Sequence, residues 1–353
     1  MARRLLRGVR HLLGAVVLLT GLVCLTEVGL SARRASLRAE ARVATVADLS
    51  VPSRVAFREM RPLSRTSPEA GPLVRTNSFG LRGPEPAAPK AAGVFRVLVL
   101  GGEATLAAGT PESQTFCAVA QTLLEGRTAA PVEVLNAGVP GGCPLTLGLL
   151  LRHRLAALSP DAVVFMLDAG DVADDLRCRP FLRQDAEGRP LACEHPAAGG
   201  RRGTADAWRS EFCLVDLAGR YLTDRWVRHS PPVRDDLLSG SRRTEWLGGP
   251  AAEWAGPLAA ALAPVAAAAA SRPAVAVVVP DAGGPAAGWA EAAVVLSAGG
   301  VRLIDPGGAF AQMGEAAGLF REDPAAGDRL SARGHQRMGL ELAAAIAQLP
   351  GVR

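Results

Sequence analysis

Lysine is nearly missing from this chain. Of 39 basic residues, only Lys90 is not an arginine, which reads first as a compositional bias of the genome. Aromatic residues are also scarce, at 4%, while hydrophobic residues make up 49%. The core must therefore be built from Ala, Val and Leu. No C-x-x-C spacing occurs, and no two histidines stand at metal-ligand spacing. This excludes a zinc module or a thioredoxin-like site, and nothing points to a metal or cofactor. A basic face is lacking as well. Residues 1–48 hold eight arginines and three acids, which accounts for the whole net charge of +5. The remainder is balanced, so no nucleic-acid footprint is visible.

What is present begins with an apolar run, LLGAVVLLTGLVCLTEVGL, at residues 12–30. Its length is about enough to cross a hydrocarbon core. Arg3, Arg4, Arg7 and Arg10 precede it and favour a cytoplasmic N-terminus over residues 1–11. The reading is a single-pass anchor with the globular part outside the cytoplasm. Cleavage near Gly29-Leu30-Ser31 is the alternative and would give a secreted or periplasmic protein. Residues 31–74, rich in Arg, Ala, Ser and Pro, read as a partly ordered juxtamembrane linker. The globular domain is expected over 75–353, starting near Arg75.

Apolar strands then alternate with helical stretches. Strands are expected at 95–100, 131–136, 162–167, 274–280 and 301–304. Helices are expected at about 115–126, 145–158, 251–271, 286–298 and 332–348. Continuous apolar strands separated by helices imply a parallel sheet covered on both faces. Right-handed crossovers make it a doubly wound, flavodoxin-like α/β sheet. Residues 172–250 break the alternation and read as an insertion after the third strand, with an amphipathic helix near 213–228. Within it, Cys178 and Cys193 flank a hairpin with a turn at Asp185–Gly188. In an oxidising compartment they are candidates to pair; otherwise they are small apolar fillers.

Four blocks carry the functional reading. The strand FRVLVL runs into Gly101-Gly102-Glu103-Ala104-Thr105-Leu106-Ala107-Ala108-Gly109. The second block is Asn136-Ala137-Gly138-Val139-Pro140-Gly141, and the third is Asp168-Ala169-Gly170-Asp171. The last runs Ala326-Gly327-Asp328-Arg329-Leu330-Ser331-Ala332-Arg333-Gly334-His335. Upstream stands Asn77-Ser78-Phe79-Gly80-Leu81-Arg82-Gly83. In this order the blocks resemble the SGNH/GDSL hydrolase superfamily, in particular its exported, membrane-anchored members, over residues 75–349.

The resemblance implies an esterase or acyltransferase fold without cofactor. It places Glu103 where the serine nucleophile belongs, Gly170 at the oxyanion asparagine, Ala326 at the orienting aspartate and Arg329 at the histidine base. Gly138 would keep a backbone donor for the oxyanion, and Asp171 persists beside it. Glu103, Asp171 and Arg329 would line the site. Serine acyl transfer needs a nucleophile, a base and an oriented tautomer. Arginine stays protonated and cannot serve as that base.

These residues admit other roles. Glu103 with Asp171 is a carboxylate pair of the kind used on glycosides, set against a plain acid at a helix N-terminus. His335 as a substitute base is set against a packing or capping histidine. Ser113 and Ser331 read as helix caps. The residues thus point to a non-catalytic pseudo-esterase that binds or scaffolds, its partner an envelope glycan or a protein. An active esterase or acyltransferase with a rebuilt site is the second hypothesis, and a structural subunit the third. Glu103 and Arg329, opposite charges at the old nucleophile and base positions, are expected to meet as an ion pair.

Overall fold

The computed structural model describes residues 14, 18–28, 41–43, 46–67, 71–198, 251–281, 289–314, 318–321 and 329–352. The chain divides into two units, 42–199 with 238–353 and 1–41 with 200–237. In the smaller unit residues 18–28 are helical, with Leu18, Leu22 and Leu25 exposed. Among the described residues no helix is long and apolar enough to cross a membrane. Most flanks of the expected 12–30 segment, and the expected helix at 213–228, lie outside the described residues.

The larger unit is built on five parallel strands. They are β5 (Phe95–Gly101), β6 (Val132–Gly138), β7 (Ala162–Leu167), β10 (Ala274–Val278) and β11 (Arg302–Ile304). Their spatial order is β11-β10-β7-β5-β6, so the chain starts inside the sheet and winds out both ways. All four pairings are parallel, with Gly101 beside Gly138, Leu100 beside Phe165 and Val278 beside Leu167.

Alternation along each strand feeds two separate cores. Leu98, Leu100, Val163, Phe165 and Leu167 face one way. They pack under α3 (Pro144–His153), α5 (Ala251–Ala269) and α6 (Trp289–Ala298). Val97, Val99, Val164, Met166 and Val277 face the other way, under α2 (Phe116–Leu124) and α8 (Ala332–Ile346). Each such side chain contributes about 1.5–3 kcal/mol on leaving water. Ala, Val and Leu supply nearly all of it, as the composition requires.

The domain starts earlier than Arg75. The strands β1 (Ser50–Pro52) and β2 (Arg58–Met60) pair antiparallel, as do β3 (Ser64–Thr66) and β4 (Arg75–Thr76). Leu49, Ala56, Phe57 and Met60 are buried in the larger core. Part of the expected linker is therefore core: Leu49, Ala56, Phe57 and Met60 are spaced too irregularly to show a period, yet all four are buried, while Leu63 and Leu73 stay exposed. The loop 77–83 also has a structural task. Arg82 is buried and its guanidinium donates to the carbonyls of Leu106, Ala107 and Thr110 at 2.5, 2.5 and 2.6 Å. It closes the C-terminal end of the first turn after β5.

The start of the insertion forms α4 (Asp171–Cys178) and the hairpin β8 (Leu182–Gln184) with β9 (Pro190–Cys193). Asp185 builds the turn, its Oδ1 accepting from Glu187 N and Arg189 N at 3.1 and 2.8 Å. Cys178 and Cys193 come together but are free thiols here, Cys193 Sγ donating to Cys178 O at 3.2 Å. Ser113 is not a cap. It sits in a 3₁₀ turn, Glu112–Gln114, and Thr115 caps α2 by accepting from Ala118 N at 3.3 Å. Ser331 does cap α8, accepting from Gly334 N at 3.1 Å.

Candidate functional site

Parallel strands end together, so the loops after them share one edge. Glu103 follows β5, Gly138–Gly141 follow β6, Asp168–Asp171 follow β7 and Asp281 follows β10.

Glu103 opens α1 (Glu103–Leu106), a single turn that ends with Ala107 in the left-handed region at φ 55°. The half-buried carboxylate does not stay on its own helix. Its Oε1 accepts the backbone N–H of Gly141 at 3.2 Å. Gly141 has φ +67°, a conformation that suits glycine and turns its N–H inward. The backbone donor that faces the Glu103 carboxylate is thus Gly141.

This corrects the expectation for Gly138. Its N–H is taken by Asn136 Oδ1 at 3.0 Å. Gly138 is required for a different reason. A Cβ there would lie 2.1 Å from the backbone nitrogen of Leu106, so glycine is what lets the end of β6 press against α1. Asn136 completes the joint, its Nδ2 donating to Thr105 O at 2.7 Å.

On the third loop, Gly170 precedes α4 and its N–H donates to Asp168 Oδ1 at 2.7 Å. Asp171 is buried, and its Oδ2 accepts from Asp168 N at 2.9 Å. Burial, then the nearby Asp168 carboxylate, hold the Asp171 carboxyl well above its ordinary range. Asp171 therefore serves as an internal clamp on its own loop. Asp168 is the carboxylate over the turn after β5: a Cβ on Gly102 would stand 3.5 Å from its Oδ2.

Arg329 does not meet Glu103. Its Nη1 forms an ion pair with Asp281 Oδ2, between side chains that are 40% and 34% exposed. The guanidinium is taken instead by Asp281, three residues past the end of β10. Arg321 performs the docking instead. Its Nη2 donates to Gly109 O and Thr110 Oγ1 at 2.9 and 2.7 Å, and its Nε to Leu330 O at 2.7 Å. It thereby ties the first block to the last. Ala326 lies outside the described residues.

His335 is fully buried and stacks on Phe116, with ring centroids 5.5 Å apart. It is a packing residue. Asp168, Asp281, Arg321 and Gly141 were not singled out from the sequence. Position after a strand end was the available signal for Asp281 and Gly141; nothing local marked Arg321. Among the described residues no cluster of His, Cys, Asp or Glu is arranged to hold a metal.

No protein-family model matches the chain. No curated protein matches it. Among solved structures it is similar to the lipase/acylhydrolase from Enterococcus faecalis at 15% identity, covering 73% of this chain and 98% of that one with a TM-score of 0.38. It is likewise similar to LAE5, an alpha/beta hydrolase enzyme from the metagenome of Lake Arreo, Spain, at 16% identity, 70% and 94% coverage and a TM-score of 0.38. Likeness this slight carries nothing about activity, and the α/β architecture rests on the sheet itself.

Proposed function

We propose that this chain is an SGNH-like domain that has lost ester hydrolysis and acts by binding or scaffolding at the cell envelope, tethered through residues 12–30. The observation that carries the reading is the Glu103 carboxylate seated on the Gly141 N–H. An acyl-transfer site keeps such a donor open for the oxygen that becomes negative in the transition state. Here the donor is already occupied by a fixed negative charge. The Arg329 guanidinium, held by Asp281, supplies no base. Asp171, the other half of a glycosidase-like pair, is spent on the backbone of Asp168.

The resemblance supplies the ligand class, an O-acylated envelope glycan, with a protein partner as the alternative. The test is acyl-ester turnover and fluorophosphonate labelling of the purified full chain. Neither is expected. Labelling of a serine beside Glu103, or turnover lost on Glu103→Ala, would favour an active, rebuilt esterase or acyltransferase.

A further inference from the structure

One groove lies away from Glu103. It has a volume of about 570 Å³ and runs between α3, the second half of α5 and the β8–β9 hairpin. Val163 N donates to Pro273 O at 3.0 Å, which sets the end of α5 and the residues after it at the amino end of the sheet. The Glu103 loops are at the carboxyl end.

The floor is apolar, formed by Leu145, Leu149, Leu182, Ala263, Pro264 and Ala267. The rim is cationic: Arg152, Arg179, Arg189 and Arg272 line it, and among the described lining residues there is no Asp or Glu. Two of the four charges are already answered, Arg179 by Asp175 and Arg189 by Asp185 and Glu187. The other two are not. Arg152 donates to a backbone carbonyl, Pro190 O, at 3.0 Å. Arg272 is half-buried, and among the described residues its one hydrogen bond is a long contact to Ser271 Oγ at 3.5 Å.

A partly desolvated guanidinium without a carboxylate leaves its donor fork unspent, and that fork fits a carboxylate in bidentate fashion. An apolar trough with a few convergent polar groups at one side is the usual form of a small-molecule site, and its volume is within the usual range. We propose that this groove binds a single-chain anionic amphiphile, with the anionic head on Arg272 at the rim and the alkyl chain along the Leu145–Leu149 face and the alanines of α5. The inference is independent of the reading of Glu103.

The test uses the full chain and a dansyl-labelled undecanoic acid, followed by its fluorescence and displaced by laurate. Saturable binding is expected. Arg272→Gln should weaken it about tenfold or more, and dodecanol, the uncharged analogue, should compete about tenfold less well than laurate. Ala267→Trp fills the trough from an exposed position and should abolish the saturable component, with circular dichroism showing the fold retained. Displacement by laurate but not by phosphatidylglycerol vesicles makes the ligand a free fatty acid. Displacement by those vesicles and not by laurate would overturn the single-chain assignment. Absence of saturable binding would overturn the proposal. So would binding unchanged in both variants, which places the probe elsewhere, or dodecanol equal to laurate, which removes the role of Arg272.

Discussion

Arg329 and Asp281 form an ion pair that joins the loop before α8 to the end of β10. Both side chains are more than a third exposed, at 40% and 34%, so water screens the attraction. A double-mutant cycle on Arg329→Gln and Asp281→Asn should give a coupling of about 0–1 kcal/mol, falling with added salt. Coupling well above that range, measured by urea unfolding, would mean the pair is far drier than the structure has it.

Glu103 and Gly141 should behave as a linked unit. Glu103→Gln keeps an acceptor and should leave stability nearly unchanged. Glu103→Ala removes it and should cost about 0.5–1.5 kcal/mol. The specific readout is amide hydrogen exchange at Gly141, expected to quicken in Glu103→Ala and not in Glu103→Gln. Equal exchange in both variants would show that the hydrogen bond does not hold this turn.

Arg82 ties the 77–83 loop to the turn after β5 through three carbonyls. Arg82→Ala should cost about 3 kcal/mol or more, because those acceptors are left without a donor inside the protein. Lysine offers a point charge instead of a fork, so Arg82→Lys should rescue little of it. Midpoints of urea unfolding decide the matter, and full rescue by lysine would count against the forked geometry.

Asp171 makes stability depend on pH in an unusual direction. Its carboxyl is raised by burial and then by Asp168, above the ordinary value of 3.8. A raised carboxyl favours the folded state while protonated. That contribution is complete below 3.8 and is lost as pH rises from there towards the folded value. Asp175, raised by burial against the pull of Arg179, acts in the same direction. Unfolding midpoints of Asp171→Asn measured across pH should fall less steeply with rising pH than those of the native chain. An unchanged slope would assign the pH dependence to other groups.

Gly138→Ala is expected to be among the most damaging substitutions in the second block. The added carbon would meet backbone, the Leu106 nitrogen, at 2.1 Å, and backbone cannot swing aside. Gly141→Ala has open space and only an unfavourable φ of +67° to bear, so it should cost about 1–2 kcal/mol. Thermal unfolding of the two variants should rank them in that order; the reverse ranking would contradict the packing of β6 on α1.

The sequence determined the sheet. Apolar runs such as FRVLVL and AVVFML, separated by helical stretches, admit little but parallel strands buried on both faces. The strand order and two-sided core followed in the structure. It also determined which residues reach the carboxyl edge, because each follows a strand directly. Pairing across that edge was decided by tertiary structure alone. Glu103 turned to Gly141 and Arg329 to Asp281, since which of several opposite charges or free N–H groups lies nearest depends on loop paths that carry no periodic signal. The same holds for residues 49–66. Short strands with scattered apolar side chains read as linker along the chain. They become core only when Leu49, Ala56, Phe57 and Met60 meet a surface made by residues distant in sequence.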